Sequence, residues 1–248
     1  MQTYDSSTYG DHIASEYDDF IQISPEQTHA AVETLAALTK DGPVLELGIG
    51  TGRIALPLRE RGLAVHGIDA SSRMVDELRK KPGGDAIPVT IGDFGDVAVT
   101  GRFSMIFIAF NTFFGLLTQE AQVRCFANVA GHLTPDGLFV IEAFVPDPSR
   151  FIRNQNLVTS KVSLDKVRLD ASIHDPLSQR VDSQHIVITN GNTRLYPVQM
   201  RYAWPSELDL MAQLAGFKLK ERWSNWQRSP FTSGSSMHIS VYEFSAKP

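Results

Sequence analysis

Short apolar runs alternate with amphipathic segments through the first 145 of the chain's 248 residues. The run 103–110 is apolar on both faces, as expected of a central strand in a parallel sheet. An amphipathic helix is predicted to follow it at 118–133. The predicted strands of this region are 43–47, 64–68, 87–91, 103–110 and 138–144. Strands that alternate with helices predict a doubly wound α/β fold with a mostly parallel sheet and right-handed crossovers.

The pattern changes after Pro146, where runs with period-two alternation replace the alternation of strands and helices. A hairpin is predicted around the tight turn Asn190-Gly191. A helix at 208–215 and an antiparallel pair of strands at 217–226 and 237–244 complete a seven-stranded main sheet. We expect an N-terminal helical lid (1–40), a core (41–149 and 204–248) and an inserted antiparallel β-sheet (150–203).

The composition narrows the possible ligands and the compartment. The formal net charge is −5, whereas a nucleic-acid substrate normally requires a basic surface. Cys125 is the only cysteine, which excludes an intrachain disulfide and suits a reducing cytoplasm. The N-terminus lacks a basic segment followed by an apolar run, and the most apolar run, 105–117, is too short to span a bilayer. The sequence therefore predicts a cytoplasmic protein with neither nucleic-acid nor membrane partners.

The most informative segment is 44–53, Val-Leu-Glu-Leu-Gly-Ile-Gly-Thr-Gly-Arg. Glycine is needed where the backbone adopts positive φ or approaches a ligand closely. A strand, a glycine turn and a helix in this order place free backbone N–H groups at the mouth of a parallel sheet. The dinucleotide-binding pattern G-x-G-x-x-G/A needs glycine or alanine where this chain has Arg53. The spacing of Gly48, Gly50 and Gly52 therefore differs from that of nicotinamide and flavin enzymes.

With Glu46 in front, this turn resembles the E/D-x-G-x-G-x-G motif of class I S-adenosylmethionine-dependent methyltransferases. Asp69 ends the second strand, where a carboxylate accepts both hydroxyls of a ribose, and Asp93-Phe94 matches the family's acid and apolar pair beside adenine. The resemblance implies a Rossmann-like sheet and S-adenosyl-L-methionine as cofactor, with S-adenosyl-L-homocysteine as product and no metal. The cofactor-binding residues it implies are Tyr17, Glu46, Gly48, Gly50, Gly52, Arg53, Asp69, Met74, Asp93, Phe94 and Ala109.

Four residues are candidates for contact with the reacting groups. Tyr9 and Tyr17 precede the first strand, and in the family such a segment closes over the methionine end of the cofactor or over the substrate; packing of a loosely ordered arm is the alternative. Asn111 follows the fourth strand and is expected to bind the cofactor amine or the substrate, unless it is only a polar turn residue. Phe114 is expected to line the acceptor pocket, with core packing as an equal alternative. Arg53 would pair with the methionine carboxylate or lie exposed at the start of a helix.

The seven histidines show no metal-ligand spacing, and no motif assigns any of them a role. An oxygen nucleophile would need a general base, for which His12, His174, His185 and His238 are candidates. An amine nucleophile needs only to be neutral. The resemblance is nearest to N-methyltransferases of antibiotic biosynthesis that act on aminosugars or amino-acid-derived amines, lincosamides included.

We therefore expect an N-methyltransferase that acts on a small-molecule amine in antibiotic biosynthesis. The alternatives are a small-molecule O-methyltransferase with a histidine base and a non-catalytic cofactor-binding regulatory protein, and a nicotinamide oxidoreductase is a more remote one. In aminosugar N-methyltransferases and glycine N-methyltransferase, an antiparallel sheet in the place of 150–203 covers the substrate and often builds oligomer contacts. A homo-oligomer is expected on that resemblance.

Overall fold

The computed structural model describes residues 4–21 and 23–245. Their strands are β1 (Val44–Leu47), β2 (Val65–Asp69), β3 (Val89–Ile91), β4 (Phe103–Ile108), β5 (Leu133–Phe144), β6 (Gln155–Val162), β7 (Lys166–Asp175), β8 (Arg180–Thr189), β9 (Asn192–Arg201), β10 (Phe217–Trp223) and β11 (Met237–Phe244). Their α-helices are α1 (Thr8–Ile13), α2 (Tyr17–Phe20), α3 (Pro25–Leu38), α4 (Ala55–Glu60), α5 (Ser72–Arg79), α6 (Gln119–His132) and α7 (Pro205–Leu214). No helix within these ranges combines the length and the apolar character that a bilayer crossing requires.

The main sheet has seven strands in the order β10-β11-β5-β4-β1-β2-β3. Strands β1 to β5 are parallel, and β11 runs antiparallel between β5 and β10. The prediction of a doubly wound, mostly parallel seven-stranded sheet is confirmed. Because the strand order reverses between β1 and β4, their carboxyl ends form the topological switch point, where open α/β sheets bind ligands.

Several strand boundaries differ from the predicted ones: β4 ends at Ile108 and β10 at Trp223, where 110 and 226 were predicted, β1 begins one residue later, and β2 is displaced by one residue. β3 begins at Val89 rather than Ile87, since Pro88 has no N–H to donate to a strand ladder. β5 begins at Leu133, which pairs with Phe103 across a register shift. The predicted turn residues after helix α6 are therefore part of the strand that follows it.

Helices cover both faces of the main sheet. Phe126 of α6 and Met211 of α7 are buried in the cluster on one face, and Leu35 of α3 and Leu58 of α4 in the cluster on the other. All six residues of β4 are buried, and successive ones join alternate clusters. This agrees with a central strand that is apolar on both sides.

Strands β6 to β9 form a separate antiparallel meander, the inserted sheet. In its last hairpin Thr189 pairs with Asn192, and the two turn residues between them have positive φ, 39° for Asn190 and 83° for Gly191. A two-residue hairpin turn with positive φ at both positions matches the twist of its strands. The predicted Asn-Gly hairpin is confirmed.

The inserted sheet is fastened to the core at the end of β9. The Arg201 guanidinium is buried and donates to Glu207 Oε1 over 2.8 Å and to Gln122 Oε1 over 2.5 Å. Gln122 in turn donates to the Arg201 carbonyl over 2.8 Å. Because both partners lie on helices of the core, this buried network holds the sheet beside the switch point.

Candidate active site

The glycine turn after β1 is shaped by packing as well as by φ. The φ angles of Gly48 and Gly52 are 75° and 81°, values that favour glycine. A Cβ on Gly48 would lie 2.4 Å from Thr112 Cγ2, and one on Gly52 would lie 2.3 Å from Leu78 Cδ1. Gly52 therefore serves close packing of the turn against α5, and its place is in the protein interior.

Gly50 differs from its two neighbours in the turn. Its φ is 56°, and a Cβ there would meet only Met74 Cε, at 3.5 Å. The space beside Gly50 is open because it belongs to a cavity. This glycine leaves room for a ligand against the backbone of the turn.

A cavity of about 320 Å³ lies between the glycine turn, the lid and the inserted sheet. Its volume is at the lower end of the range for small-molecule sites. The sequence-predicted residues on its wall are Tyr9, Tyr17, Gly48, Gly50, Asp69, Met74, Asp93, Phe94 and Asn111. The remaining predicted site residues, which are not on this wall, are Glu46, Gly52, Arg53, Ala109 and Phe114.

Asp69 lies at the carboxyl end of β2, facing the glycine turn. Its Oδ2 accepts from the Gly50 N–H over 2.7 Å and its Oδ1 from the Ser71 N–H over 2.9 Å. Burial raises the pKa of this carboxyl, although the two backbone donors act in the opposite direction. Each carboxylate oxygen keeps a second lone pair, so Asp69 is held rigidly and can still accept hydroxyl donors from the cavity.

Glu46, in the middle of β1, has a buried acceptor without a donor. The residue is 5% exposed, and Oε2 has no hydrogen-bond partner among the described residues. Burial raises the pKa of the Glu46 carboxyl to about 8, against the nearby charge of Arg53. A buried polar atom left without a partner is costly, and an ammonium group from a ligand would satisfy it.

Arg53 lies behind Tyr17, on the wall of a neighbouring open cavity of about 600 Å³. Its Nη1 donates to Thr28 Oγ1 over 3.2 Å, and its guanidinium carbon lies 5.7 Å from the centre of the Phe110 ring. Tyr17 lines both cavities. Arg53 is therefore held between lid and turn, with its charge close to the buried Glu46.

The loop after β4 has a strained backbone. Phe110 and Asn111 have positive φ, 55° and 64°, which costs on the order of 1–3 kcal/mol for each non-glycine residue. The Phe110 N–H donates to Glu142 Oε2 over 2.8 Å, and Asn111 Oδ1 accepts from the Phe144 N–H over 2.7 Å. These two hydrogen bonds with β5 hold the loop against the cavity. The second one occupies Asn111 Oδ1, whereas Asn111 Nδ2 has no acceptor within 4–21 and 23–245.

Glu142 is a supporting residue that the sequence reasoning missed. Its second oxygen, Oε1, accepts from the Trp226 indole N–H over 2.8 Å. An acid inside an apolar strand is the signal that marks such a residue.

The lid tyrosines present neutral phenols to the cavity. Their rings meet edge to face with centroids 6.4 Å apart. Burial raises the pKa of Tyr9 to about 12, and burial also raises that of Tyr17. Both phenols therefore keep their protons at neutral pH and act as polar contacts rather than as bases.

The lid is docked closely on the cofactor side of the site. A Cβ on Gly10 would lie 2.6 Å from Ser71 Cβ, so α1 and the start of α5 touch. Ser71 Oγ donates to Asp11 Oδ1 over 2.6 Å, and Thr51 Oγ1 donates to Asp18 Oδ1 over 2.6 Å. The lid is thereby attached both to the start of α5 and to the glycine turn.

Phe114 and Ala109 lie in the core rather than at the reacting groups. Phe114 is 0% exposed, and its ring centroid is 4.8 Å from that of Phe144. The expectation that Phe114 lines the acceptor pocket does not match this position; core packing is what the structure shows. The turn after Asn111 directs Phe113 and Phe114 inward and leaves Gly115 on the cavity wall.

The inserted sheet supplies a wall of the cavity, of whose residues the sequence reasoning had named only His185. This wall is formed by His185, Val198, Gln199 and Met200. Period-two alternation predicted the strands but could not say which face meets the lid. The other three candidate bases lie elsewhere: His174 bonds to Tyr202 Oη over 3.0 Å, His12 to the Thr8 carbonyl over 2.8 Å, and burial lowers the pKa of His238 to about 3.

Comparison with known proteins agrees with this geometry. Residues 44–137 match the family model of the methyltransferase domain. The CcbJ methyltransferase from Streptomyces caelestis is 40% identical, with a TM-score of 0.93 over 98% of this chain and 100% of that one. The cypemycin N-terminal methyltransferase from a Streptomyces species is 29% identical over 205 residues, 81% of this chain and 82% of that protein. A dTDP-3-amino-3,6-dideoxy-alpha-D-glucopyranose N,N-dimethyltransferase from Streptomyces fradiae is 29% identical over 139 residues, 54% of each chain.

The sheet is doubly wound, the turn after β1 has glycines at alternate positions, and a carboxylate ends β2. Together these features define a class I transferase with a nucleoside-containing cofactor. The chain belongs to the S-adenosylmethionine-dependent methyltransferases. The remote oxidoreductase alternative is thereby removed. Across 4–21 and 23–245, no three His, Cys, Asp or Glu side chains are grouped so as to hold a metal ion.

Proposed function

We propose that this enzyme methylates an amine nitrogen of a small molecule in natural-product biosynthesis, with S-adenosylmethionine as methyl donor. The supporting observation is the continuous cavity, which runs from the glycine turn past two neutral phenols to the inserted sheet. The cavity has a volume of about 320 Å³, and the lid tyrosines form part of its wall. The names of two relatives, an N-terminal and an aminosugar N-methyltransferase, support an amine as acceptor.

The residues present fit this cofactor. The orphaned Oε2 of Glu46 would accept from the methionine ammonium. Arg53 lines the neighbouring cavity behind Tyr17, and we infer that it would pair with the methionine carboxylate. Asp69 would take the ribose hydroxyls, and Met74, Asp93 and Phe94 would surround the adenine. When bound, the cofactor supplies a methyl group on a sulfonium sulfur that leaves as a neutral thioether.

The enzyme's own contribution is alignment and exclusion of water. Methyl transfer from a sulfonium is a one-step displacement, so proximity supplies most of the rate enhancement. Tyr9 and Tyr17, held as neutral phenols, would orient the acceptor nitrogen with their hydroxyl oxygens. Asn111 Nδ2 would donate to the cofactor or the acceptor from the strained loop.

Methyl transfer from labelled S-adenosylmethionine to a panel of aminosugars, amino-acid-derived amines and matched alcohols tests the proposal. Labelled methyl on the amines alone is the expected result. Transfer to the alcohols would establish the O-methyltransferase alternative. Tight cofactor binding without transfer to any acceptor would establish the regulatory alternative.

We further propose that the enzyme is a homo-oligomer that works in the reducing cytoplasm. The lone Cys125, fully buried and reduced, supports that compartment. The face of the inserted sheet turned away from the lid carries exposed apolar side chains, with Leu157 67%, Ile173 65% and Leu195 53% exposed. A second copy of the chain would cover them. Sedimentation equilibrium is expected to give a multiple of 27.4 kDa, and Ile173→Lys is expected to lower that mass.

A further inference from the structure

His185 is the histidine on the cavity wall, and it lies opposite a carboxylate. It pairs with Asp170 across β8 and β7, and its Nδ1 contacts Asp170 Oδ1. The imidazole is 22% exposed, and its Nε2 has no bonded partner in the described part of the chain. His185 lines the same cavity as Tyr9 and Tyr17, and Nε2 is the ring nitrogen that remains available there.

The Asp170 carboxylate is held in its ionised form. Burial alone would raise the pKa of Asp170, but the hydrogen bond from His185 and the charge of Arg168 hold that pKa below its usual value. Arg168 Nε lies 3.5 Å from Asp170 Oδ1. An ionised carboxylate accepts the Nδ1–H of histidine, which leaves the Nε2 lone pair as the acceptor.

The imidazole is also fixed in position by aromatic neighbours. Its centroid is 5.3 Å from the ring of Phe20, which lies the same distance from Tyr196. The charged and titratable groups that face His185 are Asp170 and Arg168 on β7, Tyr196 and Arg194 on β9, and Glu16 and Tyr9 in the lid. Glu16 is bound to other partners, the Tyr196 hydroxyl at 3.0 Å and the Arg194 guanidinium, so Asp170 is the carboxylate that contacts the ring.

We propose that His185 is the general base that prepares the acceptor amine, and that Asp170 is its positioning residue. This inference rests on the proposed N-methyltransferase function. An aliphatic amine is mostly protonated at neutral pH, and the resulting ammonium has no lone pair on nitrogen. One proton passes from the ammonium nitrogen to His185 Nε2 and from there to water. The freed lone pair forms the N–C bond, while the C–S bond breaks and its electrons go to the sulfur.

The first test compares kcat of His185→Gln, Asp170→Asn and the wild type with an aliphatic amine. Glutamine keeps the polarity but takes no proton, so kcat should fall about 100-fold, a usual effect for a general base. The kcat of Asp170→Asn should fall less, because this change removes only the preference of His185 for one tautomer. Ser183→Ala is the matched control on the same strand; it loses a 2.8 Å bond to Ser172 and should keep kcat.

A second acceptor separates a base from a merely structural residue. An aromatic amine is neutral at pH 7 and needs no base, so His185→Gln should lose much less kcat with the aromatic amine than with the aliphatic one. In the wild type with the aliphatic amine, a plot of kcat against pH should have a rising limb, and this limb should be missing in His185→Gln. An equal loss with both acceptors, with the limb kept, would overturn the proposal.

NMR of the cofactor-free protein labelled with 15N-histidine measures the protonation of each ring nitrogen without any turnover. The signal absent in His185→Gln should show an unprotonated Nε2, and Asp170→Asn should mix the two tautomers. A protonated Nε2 in the wild type would also overturn the proposal. If the wild type methylates no amine, the proposed function itself is refuted. If the wild type is active and His185→Gln has the same kcat, only the role of His185 is refuted.

Discussion

The two halves of the cavity are built in different ways. The cofactor half is made from turns close together in sequence, between Gly48 and Phe94, and its wall includes two glycines of the turn after β1. The acceptor half is assembled from side chains far apart in the chain, on the lid (4–21), the loop at 110–115 and the inserted sheet. Backbone turns constrain the sequence to a short motif, whereas a wall of separate side chains can change its acceptor without disturbing the cofactor. One half therefore identifies the family and the other sets the substrate.

The strongest way to break this comparison is to change Gly50 to Val. A branched side chain at φ 56° is strained and would enter the cavity. Cofactor affinity, measured by calorimetry, should fall at least about 100-fold, equivalent to about 2.7 kcal/mol. Retained affinity would mean that the cofactor does not lie on this turn.

Gly52→Val is the matched control in the same turn. Its Cβ would clash with Leu78 in the interior, so its main effect should be a lower melting temperature. If both variants lost affinity without losing stability, the distinction between a ligand-facing and a packing glycine would be wrong. Gly131→Ala in α6, where a Cβ meets nothing within 4 Å, should leave affinity unchanged and should raise the melting temperature if anything, because alanine favours a helix more than glycine does.

The sequence could predict the cofactor half because its signals are local. The alternation of Gly48, Gly50 and Gly52, and the placing of Asp69 at a strand end, follow from short-range geometry. The structure then separated their roles, since Gly52 faces Leu78 while Gly50 faces the cavity. A motif gives the spacing of glycines but not which of them touches the ligand.

The acceptor half could be predicted only in part. Tyr9 and Tyr17 were placed by resemblance to a lid, whereas His185 was one of several histidines without a motif. Its role depends on which face of the inserted sheet meets the lid, and a shift of one residue would turn the opposite set of side chains inward. That register is set by long-range contacts, such as the cluster of Phe20 with Tyr196, and local spacing does not contain it.

Glu46 gives a second prediction, which concerns pH. Burial raises its pKa to about 8 from the ordinary value of 4.5. Between these values Glu46 holds a proton in the folded, cofactor-free protein that it has lost in the unfolded chain, so the contribution of Glu46 to the free energy of unfolding should fall as pH rises from about 4.5 to about 8. The fall should be on the order of a few kcal/mol. His238, whose pKa burial lowers to about 3, contributes the opposite slope below its ordinary value of 6.5, so the contribution of Glu46 is the difference between the wild type and Glu46→Gln. Urea denaturation at pH 5, 6, 7 and 8 measures it.

Glu46→Gln should abolish this contribution, because glutamine does not titrate. Tyr17→Phe in the acceptor half is the contrast. Burial raises the pKa of Tyr17 above its already basic ordinary value, so the phenol is neutral in both states from pH 5 to 8 and its removal should leave the slope intact. If the difference in free energy of unfolding between the wild type and Glu46→Gln did not change with pH, the titration would belong to other groups.

Ser71→Ala should have the smallest effect, at the junction between the halves. Ser71 Oγ accepts from the Met74 N–H over 3.2 Å as the N-cap of α5, and it donates to Asp11 in the lid over 2.6 Å. Loss of a cap costs about 1 kcal/mol. Thr118→Ala removes the cap of α6, a 3.1 Å bond from the Ala121 N–H, and has no lid contact.

Both cap variants should therefore lose about 1 kcal/mol in urea denaturation, but only Ser71→Ala should also loosen the lid. A loosened lid exposes the cavity to water, so KM for the acceptor should rise about ten-fold, which corresponds to about 1.5 kcal/mol for one hydrogen bond to a charged group. Asp11→Asn should produce the same rise in KM with little loss of stability, because it weakens the lid contact and leaves the cap in place. If KM stayed unchanged in both, the docking of α1 on α5 would contribute nothing to acceptor binding, and the two halves of the cavity would be independent at this junction.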